Sequence, residues 1–498
     1  MKNKLALLCF IISFSSLFAQ YKYDYNWIFG YNSGFEFEGM EGVILNFNES
    51  PLDIRLEETQ MNIAKSNACI SNEFGELIFY SNGCFVADAT HETMENGDWI
   101  NPGLVHNVQC QYGYTAGTQS CLILPMPEHP NIYYFFHKHL IYIPELKTDS
   151  LLYSVVDMTG NGGLGKVTQK NEVAIAENPA AGELTAIKHS NGIDWWIITQ
   201  KNLINKYNTL LLTPEGFEGP YEQEIGNIPV IGGRGSSQII FSPDGEKLAR
   251  FNVVDQLWLF DFDRSTGQLS NFEHYVIDTL PGVTGAAFSS NSRFLYLSVR
   301  NHLFQFDMYA PDLLESKVLI DSWDGFGTPL PAAFYKMQLG PDCRIYMNST
   351  NSVSVLHVIH HPNRKGQACE FEQHGIQLPA NHFISIPHFP YYRMDTDEPI
   401  CDSSLMVATP QIIWSAQSLN VFPNPAYDIL NVELFEPFRK EGEMILYDGM
   451  GKIAVHFELG KGESEFKFST DGLVSGIYFY RILEDGVLRK TGKVIIQN

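Results

Sequence analysis

A short turn followed by an apolar strand recurs through the middle of the sequence. The copies are Phe241–Leu248, Phe288–Leu295 and Leu339–Tyr346, and they lie roughly 50 residues apart, the spacing of blade repeats. Each copy places Ser, Pro, Asp, Asn or Gly between an apolar residue and a run of β-branched and aromatic side chains. This arrangement predicts a tight turn between two strands.

Weaker copies begin near Ile70, Ile123 and Ile187, and Trp27–Phe47 supplies further strands. Each unit is long enough for four strands, and such a sheet must stack against its neighbours to cover its apolar faces. The repeat predicts an all-β propeller that closes by pairing strands from the two chain ends. We expect seven blades over 25–394, although six or eight also fit. Two β-sandwiches would explain the all-β composition but not the recurring turn.

The N-terminal segment 1–19 has the pattern of a secretory signal peptide. Lys2 and Lys4 precede the apolar run Leu5–Phe14, and the small residue Ala19 marks a cleavage point before Gln20. No later segment has the length and apolarity of a membrane-spanning helix. We therefore expect a propeller domain at 20–394, and a mature chain that is secreted or attached to the outer-membrane surface.

A linker is expected at 395–417, followed by a small β-sandwich at 418–498. Short alternating strands are separated there by Gly and Asp turns. Four short motifs stand out: Pro-Asn-Pro, Asp-x-x-Gly-Lys, Ser-Gly-Ile-Tyr and a terminal Gly-Lys-Val-Ile-Ile. Their candidate sorting-signal residues are Pro423, Asn424, Pro425, Asp448, Gly451, Lys452, Gly476, Tyr478, Gly492 and Lys493.

The combination of these motifs closely resembles the C-terminal sorting domain of type IX secretion. The resemblance implies that the type IX translocon is a partner and that the remainder of the chain becomes attached to a surface lipopolysaccharide. Whether the module is cleaved stays open. The alternative is a generic sandwich that binds carbohydrate.

The propeller segment also resembles a known family, the WD-repeat-like propellers of secreted, multi-domain surface proteins from gliding and related Gram-negative bacteria. The matching residues lie in Trp27–Gly30, Ser33–Phe37, Leu77–Gly83, Tyr153–Met158 and Asp194–Trp196. The resemblance implies a fold and an exported location, and it carries no chemistry over to this chain.

The charge balance excludes nucleic acid as the main partner. The chain has 33 Lys and Arg against 57 Asp and Glu, a formal net charge of −24, and an acidic surface repels phosphate. Export makes disulfides possible, but the spacing of the cysteines shows no disulfide framework. A Cys343–Cys369 bridge stays open.

Several residue groups could carry chemistry, each with a structural alternative. His137 and His139 share one face of a strand and could bind zinc, or could be two partly exposed histidines; His360-His361 is a second such pair. Asp261 and Asp263 could bind calcium or act as acid and base, or cap a turn. Two Gly-rich segments, Gly160–Gly165 and Gly232–Ser237, are more typical of loops than of anion sites. We assign no catalytic, cofactor or metal residue.

Three functions remain. The first is a surface-displayed propeller that binds a glycan or protein through loops at one end of its channel. The second is a secreted polysaccharide or peptide hydrolase or lyase, which requires two carboxyl groups within about 5–10 Å in a concave, aromatic-lined site. The third is a scaffold in a surface adhesion or gliding apparatus.

Overall fold

The computed structural model describes residues 22–497 except 35–38, 64, 115–116, 143–144, 231–236, 279–281, 328–329, 395–418, 435–436, 439, 449–451 and 485–486. The chain divides into two compact units, Met1–Asp402 and Ser403–Asn498. Across the described ranges, no helix has the length and apolarity needed to cross a bilayer. The expected signal peptide and linker lie outside the described residues.

The first unit contains seven antiparallel sheets, each made of strands consecutive in the chain. Sheets 1 to 3 comprise β1 (Asn26–Gly30), β2 (Gly42–Asn46) and β3 (Asp53–Glu57); β4 (Ala68–Ser71), β5 (Leu77–Ser81) and β6 (Val86–Asp88); and β7 (Cys121–Pro125), β8 (Ile132–Tyr142), β9 (Leu146–Asp157) and β10 (Lys166–Ile175). Sheets 4 and 5 comprise β11 (Pro179–Lys188), β12 (Trp195–Lys201), β13 (Lys206–Thr213) and β14 (Gly216–Glu224); and β15 (Gln238–Phe241), β16 (Lys247–Asn252), β17 (Gln256–Asp263) and β18 (Gln268–Tyr275). Sheets 6 and 7 comprise β19 (Thr284–Phe288), β20 (Phe294–Val299), β21 (His302–Asp307) and β22 (Val318–Ser322); and β23 (Phe334–Leu339), β24 (Ile345–Ser349), β25 (Val353–Ile359) and β26 (Phe371–His382).

Neighbouring sheets pack on each other, and sheet 7 packs back on sheet 1, so the unit is a seven-bladed propeller. This confirms the predicted fold class. Between β6 and β7 lie a short helix, α1 (Leu104–Gln109), and a 3-10 turn, Cys110–Tyr112; further 3-10 turns are Asn161–Gly163 and Gly366–Cys369.

The recurring sequence turn joins the first two strands of sheets 5, 6 and 7. In each copy a backbone N–H donates to the carbonyl three residues earlier, from Gly245 to Ser242, from Ser292 to Ser289 and from Cys343 to Gly340. The donor residue has a positive φ in all three copies, at 76°, 60° and 70°. The shared geometry explains why small and turn-forming residues recur there.

The ring closes differently from the expected pairing of strands. After β26 the irregular segment 383–394 is largely buried. Its Arg393 lies against Asp24, its Phe389 against Trp27, and His382 just before it against Phe29. The order of these contacts shows that the segment runs opposite to β1, and it packs against sheet 1 through side chains. We call it the channel segment.

The second unit is a sandwich of two sheets, which again matches the predicted fold class. One sheet has the order β27-β28-β31 and the other β30-β29-β32-β33. Their strands are β27 (Leu419–Phe422), β28 (Ile429–Leu434), β29 (Gly442–Tyr447), β30 (Ile453–Leu459), β31 (Glu465–Ser469), β32 (Gly476–Glu484) and β33 (Val487–Ile496). Alternating residues such as Leu430, Val432, Met444 and Leu446 are buried between the sheets, as period-two patterning requires.

Candidate functional site

The chain between the end of β6 at Asp88 and the start of β7 at Cys121 forms an insertion at one end of sheet 3. Cys121 at the start of β7 pairs with His137, and β8 continues past this pair to Tyr142 before the chain turns into β9. The insertion and the β8–β9 hairpin therefore lie at the same end of the blade.

A disulfide between Cys84 and Cys110 fastens the insertion to the start of β6. Sequence reasoning missed it, because the two cysteines are 26 positions apart and meet only when α1 folds back. The bridge considered between Cys343 and Cys369 is wrong: Cys369 is a free, buried thiol. Strand spacing had already put that pair near the limit of disulfide reach.

A closed ring of hydrogen bonds supports the loop between β6 and α1, which contains Trp99 and Asn101. Asn171 N–H donates to Ser154 Oγ (3.2 Å), and Ser154 Oγ lies 3.1 Å from His137 Nε2. His137 Nδ1 lies 2.7 Å from Asn101 Oδ1, and Asn101 N–H donates back to Asn171 Oδ1 (3.0 Å). Burial lowers the pKa of His137 to about 3, so its imidazole is neutral. One imidazole nitrogen therefore donates a hydrogen bond and the other accepts one.

The two histidines considered as zinc ligands are thus structural supports. His139 Nε2 binds the carbonyl of Pro102 at 2.7 Å, and its Nδ1 binds Asp149 at 2.7 Å. The expectation of two partly exposed histidines is also wrong for His137, which is fully buried. Among the residues that the structure covers, no group of three or more His, Cys, Asp or Glu is arranged to hold a metal ion.

Trp99 lies in this loop with a left-handed backbone, at φ 54°. A bulky residue in this region costs about 1–3 kcal/mol and persists only where its surroundings enforce the conformation. Asn171 enforces it by donating from Nδ2 to the Trp99 carbonyl at 2.8 Å, and the indole stacks on His106 of α1, with ring centroids 4.7 Å apart. The residue is nevertheless 51% exposed.

Other large apolar side chains are exposed around the same insertion. They are Leu104, Val108, Tyr112, Tyr142 and Leu146, and with Trp99 we call them the insertion face. A cavity of about 280 Å³ opens between α1 and the β8–β9 hairpin. Exposed apolar side chains grouped in this way are typical of an interaction surface.

The central channel is occupied by the channel segment. Its His388 lies 2.9 Å from Gln119 Nε2 and 3.2 Å from Thr185 Oγ1, side chains of two other blades, and Tyr392 donates to the Ile123 carbonyl at 3.0 Å. Burial and the nearby charge of Lys336 lower the pKa of His388 to about 3. A cavity of about 50 Å³ remains beside this segment, room for a few water molecules.

Two acids near the channel are already bound to a cation. Arg250 donates to Glu183 and to Asp255, both at 2.9 Å, and all three side chains are buried. Burial lowers the pKa of Lys138 and of Lys336 to about 7, although the negative charge of Glu183 acts to raise both pKa values. The carboxylates therefore balance buried positive charge and are not free to transfer protons.

The remaining sequence candidates that the structure describes are also structural. Asp263 accepts from Ser265 and Thr266 in the turn after β17, which lowers its pKa, while Asp261 binds Asn271 and Lys247. Gly160–Gly165 is a turn between β9 and β10. His360 and His361 pair with Glu372 and Glu370. Nearly all of Gly232–Ser237 lies outside the described residues.

The structure brings the first and last sorting motifs together. Asn424 donates to the Lys493 carbonyl (3.0 Å) and accepts from Ile495 N–H (2.9 Å), so the Pro423–Pro425 turn is tied to β33. Gly492 pairs with Tyr480, whose ring occupies the space that a Cβ would need.

The described residues of the two central motifs make local hydrogen bonds. The Lys452 N–H donates to the Asp448 side chain at 3.0 Å, and the Asp448 N–H donates to the Lys452 carbonyl at 2.9 Å. Tyr478 is buried and donates to the Val474 carbonyl at 2.9 Å, while Gly476 begins β32. Gly451 lies outside the described residues.

Residues 420–497 match the family described as the secretion system C-terminal sorting domain. This confirms that the second unit is a type IX sorting domain. The chain is therefore exported through the type IX secretion system, and it is secreted or attached to the cell surface.

The first unit is similar in fold to several solved structures. A protein from Lactobacillus plantarum is 13% identical, with a TM-score of 0.43 over 73% of this chain and 99% of that chain. A putative 6-phosphogluconolactonase from Bacteroides fragilis is 11% identical, with a TM-score of 0.44 over 73% and 98%. A periplasmic gluconolactonase from Pseudomonas aeruginosa is 14% identical, with a TM-score of 0.41 over 74% and 99%. No curated protein matches the sequence.

Proposed function

We propose that this exported propeller binds an extracellular glycan or protein partner through its insertion face. The signal peptide 1–19 directs the chain to the first export step, and the propeller 20–394 is joined by the linker 395–417 to the sorting domain 418–498. The motif residues from Pro423 to Lys493 present the sorting signal to the type IX translocon.

The observation that carries the proposal is the fixed exposure of apolar side chains on a braced insertion. The Cys84–Cys110 disulfide and the hydrogen bonds of His137 hold the loop rigid, yet Trp99, Leu104 and Val108 are each at least half exposed. A rigid, exposed apolar surface loses little conformational entropy when a partner binds.

The arrangement of the channel favours binding over hydrolysis. The carboxylates of Glu183 and Asp255 share the guanidinium of Arg250, and the channel segment fills the space between the blades. A scaffold role in an adhesion or gliding apparatus would use the same face to hold a protein.

A surface extract of the producing cells, immobilised and probed with the purified exported protein, tests the proposal. Val108→Asp should weaken binding about tenfold or more, because it places a charge in the apolar contact. Leu319→Asp is the matched control, since Leu319 is equally half exposed but lies on β22 in another blade. Equal binding by the two variants would contradict the proposal.

Treatment of the extract identifies the class of partner. Protease digestion should abolish binding to a protein, whereas periodate oxidation should abolish binding to a glycan. Failure of the untreated extract to bind the wild-type protein would contradict partner binding itself.

A further inference from the structure

Trp99 combines backbone strain with solvent exposure, which burial in a core does not explain. Its φ is 54° and half of its surface is open to water. A structural tryptophan would be expected to bury its ring, and a surface position under no functional constraint would accommodate this backbone more easily with Gly or Asn.

The surroundings hold the indole in one position before any ligand arrives. Asn171 fixes the backbone on both sides of Ile100 through its bonds to the Trp99 carbonyl and the Asn101 amide. His106 covers one ring face at an interplanar angle of 17°, and its Nδ1 lies 2.8 Å from the Ile100 carbonyl. The indole is therefore a flat surface whose position is fixed in advance by His106 and Asn171.

The residue that precedes Trp99 in the chain is part of a charged pair. Asp98, the preceding residue, has a side chain that is 60% exposed and accepts from Lys170 Nζ at 2.9 Å. Because Asp98 is adjacent to Trp99 in the chain, this carboxylate and ammonium pair offers hydrogen-bond partners to the hydroxyl groups of a molecule bound at the loop.

We propose that Trp99 is the stacking platform for an uncharged, β-linked pyranose chain, an inference that rests on the proposed function of the insertion face. A β-glucopyranose ring carries its hydroxyl groups at the edge and presents C–H groups on both flat faces, which matches the flat face of a half-exposed indole. The formal net charge of −24 disfavours an anionic polysaccharide.

Titration calorimetry of the purified full-length protein with cellohexaose and with chitohexaose tests the inference. The wild type should bind at least one of them, and Trp99→Gly should weaken that binding about tenfold or more through loss of stacking. Tyr309→Ala, which removes a 71% exposed ring from the β21–β22 connection, should bind as the wild type does.

Thermal unfolding separates a binding role from a structural one. Trp99→Gly should melt at or above the wild-type temperature, because glycine relieves the strain at positive φ. The inference is overturned if neither hexasaccharide binds, if Trp99→Gly binds equally well, or if it melts markedly lower. Loss of surface-extract binding by Val108→Asp together with no hexasaccharide binding would overturn this inference and leave the proposed function standing.

Discussion

At the scale of single residues, the sequence shows which side chains could carry chemistry but not what they contact. His137 and His139 do lie on one strand, as their spacing indicates, yet their partners are Asn101 and the Pro102 carbonyl, more than 30 positions away. A zinc pair and a pair of loop supports have the same local pattern, and only the tertiary fold distinguishes them.

Asn171 is the residue on which the Trp99 loop depends most directly. Asn171→Gly keeps its left-handed backbone, at φ 60°, and removes only the side chain that binds the Trp99 carbonyl and the Asn101 amide. We expect a loss of about 1–3 kcal/mol in the free energy of unfolding, because the amide of the buried residue Asn101 loses its partner. Urea unfolding measures this loss, and exchange of the Asn101 amide should accelerate.

Asn161→Gly supplies the matched control for that experiment. Asn161 also has a positive φ, at 48°, but lies in the exposed turn between β9 and β10. Its substitution should change the free energy of unfolding by no more than about 0.5 kcal/mol. Similar losses in the two variants would show that the hydrogen bonds of Asn171 do not brace the loop.

At the scale of elements, repetition made the blades predictable and irregularity hid the site. The recurrent turn indicated β15 to β26 because the same backbone geometry selects the same residue types in each copy. The insertion has no such repeat, and α1 is only six residues long, too short for a periodic signal. Its conformation depends on Cys84, His106 and Asn171, which the chain brings together only after folding.

The disulfide should be the main fastening of the insertion. Replacing both Cys84 and Cys110 by Ser should lower the free energy of unfolding by about 2–4 kcal/mol, since it frees a closed loop. Limited proteolysis should then cut within or beside α1 before the blades are digested. Reductant should expose α1 of the wild type to cleavage in the same way and cause no further cleavage there in the double variant; a wild-type α1 that stays protected in reductant would contradict this role.

At the scale of the molecule, the ring is completed by residues close to the sorting domain in the sequence. The channel segment contacts Asp24, Trp27 and Ile123, so the first blades acquire their last contacts from residues more than 260 positions later. Sequence patterning indicated closure by the two chain ends but not its form, because an irregular segment has no strand periodicity. The propeller therefore closes through residues near the C-terminal end of the first unit.

The ion pair between Asp24 and Arg393 should hold this closure. Arg393 Nη1 lies 2.7 Å from Asp24 Oδ1, and both side chains are almost fully buried. Arg393→Met would leave the Asp24 carboxylate buried without its cation, and we expect a loss of about 3–5 kcal/mol in the free energy of unfolding, measured in urea. Adding Asp24→Asn should restore part of this stability, because the uncompensated charge disappears.

Arg55→Met, which breaks a half-exposed pair with Asp53, should cost only about 0–1 kcal/mol. If Arg393→Met cost no more than this control, closure would have to rest on the apolar contacts of Phe389 and Tyr392 instead.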